Sequence, residues 1–181
     1  RQRQMCIRDR SGDVMNIKKV SVDKEGTGMG WGAVYAQYLE SMDQIGEQGN
    51  GLSVSRQLYK GDEALNESAP LKVGDRITVR LTVKADRDMD FVQIKDDRAA
   101  CMEPLQAVSG FRWGNGLGYY QATKDASTQF FIDQMRKGTY VIEYQVYVNR
   151  TGEYQAGIAT VQSAYAPEFG GHTRGYRVMV E

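Results

Sequence analysis

His172, in Gly-Gly-His-Thr-Arg, is the single histidine of the chain, and any hydrolytic or metal chemistry would have to be assembled around it. A Ser-His-Asp arrangement needs this imidazole beside an activated serine, and no Gly-x-Ser-x-Gly elbow occurs. A zinc site would need it to recruit carboxylates and Cys101 from distant segments. Cys101 lies in the apolar run Ala-Ala-Cys-Met, which reads as a small buried side chain rather than a nucleophile. Asp86, Asp88 and Asp90 alternate as at the opening of a calcium loop, with Asp97 at the twelfth place. Phe91 stands where that loop needs Gly, and no bidentate Glu follows, so a charged hairpin connection is expected instead. Gly114-Asn115-Gly116-Leu117-Gly118 lacks the spacing of a phosphate loop and reads as a bent, close-packed loop. Glu103, Asp133 and Glu143 are scattered and define no glycosidase pair. The residues therefore point to no catalytic group, no cofactor and no metal ligand.

Aromatics are more suggestive. Phe111, Trp113, Tyr119 and Tyr120 fall within ten residues, with Arg112 among them. Aromatic rings and Arg are favoured anchors of binding surfaces, and rings equally fill cores. Further on, the stretch from Tyr165 to Arg174 carries Pro167, Phe169, two glycines and His172, long enough to reach a neighbour or to cross between strands. The candidate partner surface is Arg112, Trp113, Tyr119, Tyr120, Phe169 and His172.

The 181 residues allow one ordinary domain, or a small one plus part of another. With 23 basic and 23 acidic side chains there is no net field to gather nucleic acid or an anionic membrane. No apolar run approaches the ~20 residues that cross a bilayer, so this stretch inserts in no membrane as a helix. Residues 1–10, Arg-Gln-Arg-Gln-Met-Cys-Ile-Arg-Asp-Arg, differ in composition from the rest and resemble a translated sequencing adapter, which sets them and Cys6 apart from the fold. Without Cys6 there is no intrachain disulfide to form.

Alternation of apolar and polar residues dominates what remains. It is cleanest at 76–84, where Ile77, Val79, Leu81 and Val83 share one face, and recurs at 139–148. Strands are also expected at 16–22, 32–39, 52–59, 91–95, 129–135, 152–161 and 176–180. Turn residues between them, such as Asn149-Arg150-Thr151-Gly152, supply tight reversals. The fold class expected is all-β, an antiparallel β-sandwich preceded by strands of a truncated domain. The polar stretch 60–70 suggests the division: 11–62 as a partial domain or linker strands, 63–181 as the sandwich, able to fold from about residue 70.

Some of these segments resemble a known family. Gly30-Trp31-Gly32-Ala33-Val34-Tyr35, then Asp96 to Leu105 (close to Asp-x-Arg-Pro-Ala-x-x-Glu-Pro, with Ala99 where Pro is usual), Phe111-Arg112-Trp113, Gly116-Leu117-Gly118-Tyr119-Tyr120 and Tyr165-Ala166-Pro167-Glu168-Phe169 are similar to the C-terminal macroglobulin-like β-sandwich, and the strands before it, of bacterial alpha-2-macroglobulins in the form associated with Bacteroidota. The likeness runs over about residues 27–181. It implies a non-catalytic scaffold or interaction domain of a periplasmic or envelope-anchored endopeptidase inhibitor. Such a chain offers a bait segment, changes shape on cleavage and traps the peptidase. The implied partners are other domains of the parent chain and, through the full-length protein, peptidases. Relatives with a thioester build it from a Cys-x-Glu-Gln motif; Cys101 is followed by Met-Glu-Pro, so no thioester resides here. The alternative is a carbohydrate-binding or adhesive sandwich of a secreted protein, which an exposed row of Trp113, Tyr119 and Tyr120 would favour and their burial would oppose.

Overall fold

The structure is a computed structural model that describes residues 23–31, 39–66 and 69–181. Residues 1–10, the expected strand 16–22 and nearly all of that at 32–39 lie outside the described residues. The chain divides into compact units at 1–39 and 40–181, and the architecture below is that of the second.

Fourteen strands run through its described residues: β1 (Gln48–Asn50), β2 (Leu52–Lys60), β3 (Glu63–Ala64), β4 (Arg76–Ala85), β5 (Met89–Asp97), β6 (Met102–Pro104), β7 (Gly110–Gly114), β8 (Leu117–Thr123), β9 (Ser127–Met135), β10 (Gly138–Val148), β11 (Gly152–Ala156), β12 (Ala159–Ser163), β13 (Gly170–His172) and β14 (Tyr176–Val180). The described helical structure of this unit is one 3-10 turn at Met42–Gln44. The fold is all-β and its named strands pair antiparallel, as the alternation of residues predicts.

Two layers form the sandwich. One has the order β6-β10-β4-β2 and the other β13-β12-β5-β9-β8-β7. Short β1 joins them, pairing with β2 through Asn50 and Leu52 and with β13 over three positions. Gly51 permits this reversal, with φ +69°, and the Phe169 ring lies so close that an added Cβ would sit 2.7 Å from it. A separate pair, β11 with β14, packs beside the layers.

Strict period-two alternation produces the core. In β4, Ile77, Val79, Leu81, Val83 and Ala85 are at most 2% exposed, while Thr78, Arg80 and Thr82 face outward, half-buried, and Lys84 is exposed. Full burial of such a side chain contributes roughly 1.5–3 kcal/mol, so β4, paired with both β2 and β10, is the central beam of its layer.

Four expectations need correction. The boundary at 62/63 separates 52–59 from the sandwich, yet β2 pairs with β4 over eight positions and its Leu52 and Val54 are 1% exposed, so this strand completes the core. Residues 86–88 form no hairpin: β4 and β5 pair with other strands and lie in opposite layers, so the acidic segment is a crossover. The single strand expected at 152–161 breaks at Gly157-Ile158, because β11 pairs with β14 whereas β12 pairs with β5 and β13. Finally, the bent, close-packed loop expected at 114–118 is a two-residue hairpin turn with strand on either side. Asn115 and Gly116, with φ of 51° and 75°, make the tight turn of the β7–β8 hairpin, whose Asn-Gly suits two positive φ values.

A candidate interaction face and a sealed ion cluster

The β7–β8 hairpin positions the aromatics, and alternation decides their fates. Tyr119 points inward, 8% exposed, and packs edge-on against Phe130 with centroids 5.6 Å apart. Tyr120, its neighbour, points outward at 37% exposure and meets the Phe111 ring at 5.2 Å. Trp113 is 79% exposed, and its six-membered ring lies over Gly118, the residue opposite it, where an added Cβ would come within 2.8 Å. Arg112 points the other way and donates from Nε to Gln121 Oε1 at 2.8 Å. Tyr119 therefore leaves the candidate surface, because residues on adjacent positions of a strand face opposite sides.

Phe169 and His172 lie elsewhere. β13 is five strands from β7 in the layer order, about 24 Å at ~4.8 Å per strand. Phe169 is half-buried under the Arg87 guanidinium, 4.6 Å above its ring centroid. His172 is a half-buried strand residue with Nδ1 3.2 Å from the Thr173 carbonyl. The six residues thus do not converge. Phe131, Phe91 and Tyr165 join the exposed set instead: Phe131 is 39% exposed beside Tyr120, and Phe91 meets Tyr165 edge-on at 5.1 Å. Phe131 is hidden in the sequence between Phe130 and Ile132, an apolar run whose parity only pairing reveals.

The polar interior is a different site. Arg56 on β2 and Asp96 on β5 bridge the layers at 2.5 Å, and Tyr144 Oη on β10 donates to the other carboxylate oxygen at 2.7 Å. Arg56 also donates to the Gly157 carbonyl and lies over the Tyr176 ring, 4.7 Å from its centroid. Burial pushes the Tyr144 phenol well above its ordinary value, and the adjacent Asp96 carboxylate adds to this. Arg98, 9% exposed, donates to Thr128 Oγ1 at 2.6 Å and to the carbonyls of Lys124 and Asp125, holding the turn before β9. A cleft of about 450 Å³ opens beside Arg56, lined by Leu58, Leu65, Leu71, Tyr176 and Val178.

Among the described residues no three His, Cys, Asp or Glu side chains are placed to hold a metal ion. Asp86 is paired with Arg87 at 2.8 Å and Asp88 accepts the Lys137 N–H at 2.7 Å, so the acidic crossover is already occupied. Cys101 is fully buried, and desolvation raises its thiol pKa. Asn149 donates from Nδ2 to Glu103 at 2.6 Å, which ties the turn after β10 to β6.

These features define the class: an antiparallel β-sandwich module with a sealed inter-layer ion cluster and exposed rings on one sheet face. The family model of the bacterial alpha-2-macroglobulin MG10 domain matches residues 51–168, more than half of the chain. The chain belongs to that family. The solved structures agree on the fold. Over 75% of this chain, a crystal structure of the Salmonella alpha-2-macroglobulin mutant Y1175G superposes with a TM-score of 0.62 at 19% identity. Escherichia coli alpha-2-macroglobulin activated by porcine elastase superposes over 76% with 0.65 at 16% identity. The circularly permutated Ras protein 2 of Dictyostelium discoideum is 27% identical over 166 residues, 88% of this chain. The chain spans 10% and 14% of the two solved chains and 4% of the Dictyostelium protein.

Proposed function

We propose that this chain is a non-catalytic scaffold domain, the C-terminal macroglobulin-like sandwich of a bacterial alpha-2-macroglobulin-type endopeptidase inhibitor that works in the periplasm or anchored to the envelope. The observation that carries this reading is the MG10 match over residues 51–168. The likeness to an E. coli chain activated by elastase supports peptidases as partners of the parent protein. Within the parent, the domain's immediate partners are its neighbouring domains, and the buried, hydrogen-bonded Arg56–Asp96–Tyr144 cluster suits a part that must keep its shape while others move. The test is to mix the parent protein with elastase and assay small and large substrates. Trapping leaves cleavage of a small chromogenic peptide intact and suppresses cleavage of a protein substrate; equal loss or equal retention of both refutes it. A second reading, an adhesive or carbohydrate-binding sandwich of a secreted protein, is favoured by the exposure of Trp113 and Tyr120 and opposed by the burial of Tyr119.

A further inference from the structure

Across the outer face of the β7–β8–β9–β5–β12 layer runs a row of side chains, one per strand. Phe111, Tyr120, Phe131, Gln93 and Gln162 stand opposite one another in unbroken register. A second row beside it holds Ala122, Gln129, Lys95 and Thr160. The result is a corner of aromatic rings, extended by Trp113 over Gly118, that passes without a break into a band of neutral amides. Gln93 Nε2 reaches Gln129 Oε1 only at 3.5 Å, so both amides keep hydrogen-bonding capacity for another group. The one cation in the band, Lys95, is neutralised by Asp97 at 2.9 Å.

We infer that this face binds a neutral, β-linked oligosaccharide laid across the strands. A pyranose has an apolar C–H face and a rim of hydroxyls; an exposed ring covers the first, Phe111 and Tyr120 standing at 75° to each other so that they do not both lie flat on one sugar, and amides donate to and accept from the second. The strand repeat of ~4.8 Å is close to the length of one sugar unit in an extended β-linked chain, so successive sugars meet successive strands. Charge agrees: the amide band is neutral, and the hollow beside the rings mixes Asp133 with Arg112 and Arg136, so no excess of positive charge favours a phosphate-bearing polymer. A protein partner would cover the rings equally well but would strip water from Gln93 and from Gln162 Oε1 without fixed partners for them, Gln162 Nε2 already donating to the Pro167 carbonyl at 3.1 Å. This inference deepens the second reading above and does not depend on the inhibitor role.

The test is NMR titration of the whole chain with cellohexaose and with chitohexaose, alongside Trp113 fluorescence in a Trp31→Phe background. The expected result is a saturable shift of the Gln93, Gln129 and Gln162 side-chain amides and of the indole emission with one of them. Phe111→Ala and Gln93→Ala, both at exposed positions, each weaken binding about tenfold, or about 1.4 kcal/mol, with unchanged circular dichroism. Binding that persists in both variants, or whose shifts map elsewhere, overturns this face while leaving the adhesive reading standing. No saturable shift at millimolar saccharide overturns both. Protection of the same amides by self-association, without saccharide, also overturns the inference.

Discussion

Arg56 and Asp96 meet 2.5 Å apart between the two layers, with side chains 4% and 1% exposed. Burial alone would lower the Arg56 pKa, yet Asp96, Tyr176 and Tyr144 outweigh it and the net shift is upward, so the guanidinium stays charged inside the sandwich. A pair enclosed this way contributes little net stability when whole, but is costly to break, because the survivor is left as an uncompensated buried charge.

Arg56→Met is therefore expected to destabilise the chain by about 3–5 kcal/mol. The double variant Arg56→Met with Asp96→Leu recovers much of that loss. Urea unfolding of the three proteins checks this; a single-variant cost below about 1 kcal/mol would show the pair to be solvated.

Tyr144 gives the cluster a pH signature. Its folded pKa lies well above the ordinary 10.0, so the folded state keeps the proton when the unfolded chain begins to release it. Stability from this group is complete below the unfolded value and declines as pH rises above about 10, by up to ~1.4 kcal/mol per pH unit. Tyr144→Phe should be less stable at neutral pH by about 1–3 kcal/mol, since Asp96 loses a donor, and should show a shallower alkaline decline. Equal slopes in guanidinium unfolding between pH 9 and 11 would contradict the assignment.

Gly157 is placed where β11 gives way to β12, and an added Cβ would lie 2.3 Å from Asp97 Cβ and 3.0 Å from its carbonyl oxygen. Because backbone must yield, Gly157→Ala should cost about 1–3 kcal/mol. Gly110 has nothing within 4 Å of the same position, so Gly110→Ala should be neutral or stabilise by up to about 1 kcal/mol. Thermal unfolding of the two variants side by side distinguishes a packing constraint from a general intolerance of Ala.

The two faces of the β7–β8 hairpin predict opposite tolerances. Tyr119→Ala removes a ring packed on Phe130 and should cost about 3–5 kcal/mol. Trp113→Ala should cost about 1 kcal/mol or less, the size of a cross-strand contact. Comparable losses would mean that Trp113 is covered in solution.

The place of β2 is open to direct test by truncation. A chain starting at residue 40 should unfold in one cooperative transition by calorimetry. One starting at residue 63 loses Leu52, Val54 and Arg56, leaves Asp96 unpaired and bares the edge of β4, and should show no such transition. A cooperative 63–181 fragment would restore the boundary expected from composition.

Local patterning determined much of this protein by itself. The alternation in 76–84 and 139–148 is enough to name two half-buried strands and their inward residues, since period two is a property of the extended backbone. The all-β class follows from repeating such segments between turn residues, and the motifs around Asp97 and Tyr119 carry the family. What local patterning cannot contain is pairing. Whether Tyr119 or Tyr120 faces inward depends on which residue of β7 stands opposite, and in a run of aromatics both parities look alike. The same holds for Phe130 and Phe131. Arg56 and Asp96 are forty positions apart, and only the stacking of β2 on β5 turns two unremarkable charges into an inter-layer pair. The row from Phe111 to Gln162 exists for the same reason: hydrogen-bonded register between five strands, three of them consecutive and two, β5 and β12, from distant segments, decides which side chains become neighbours.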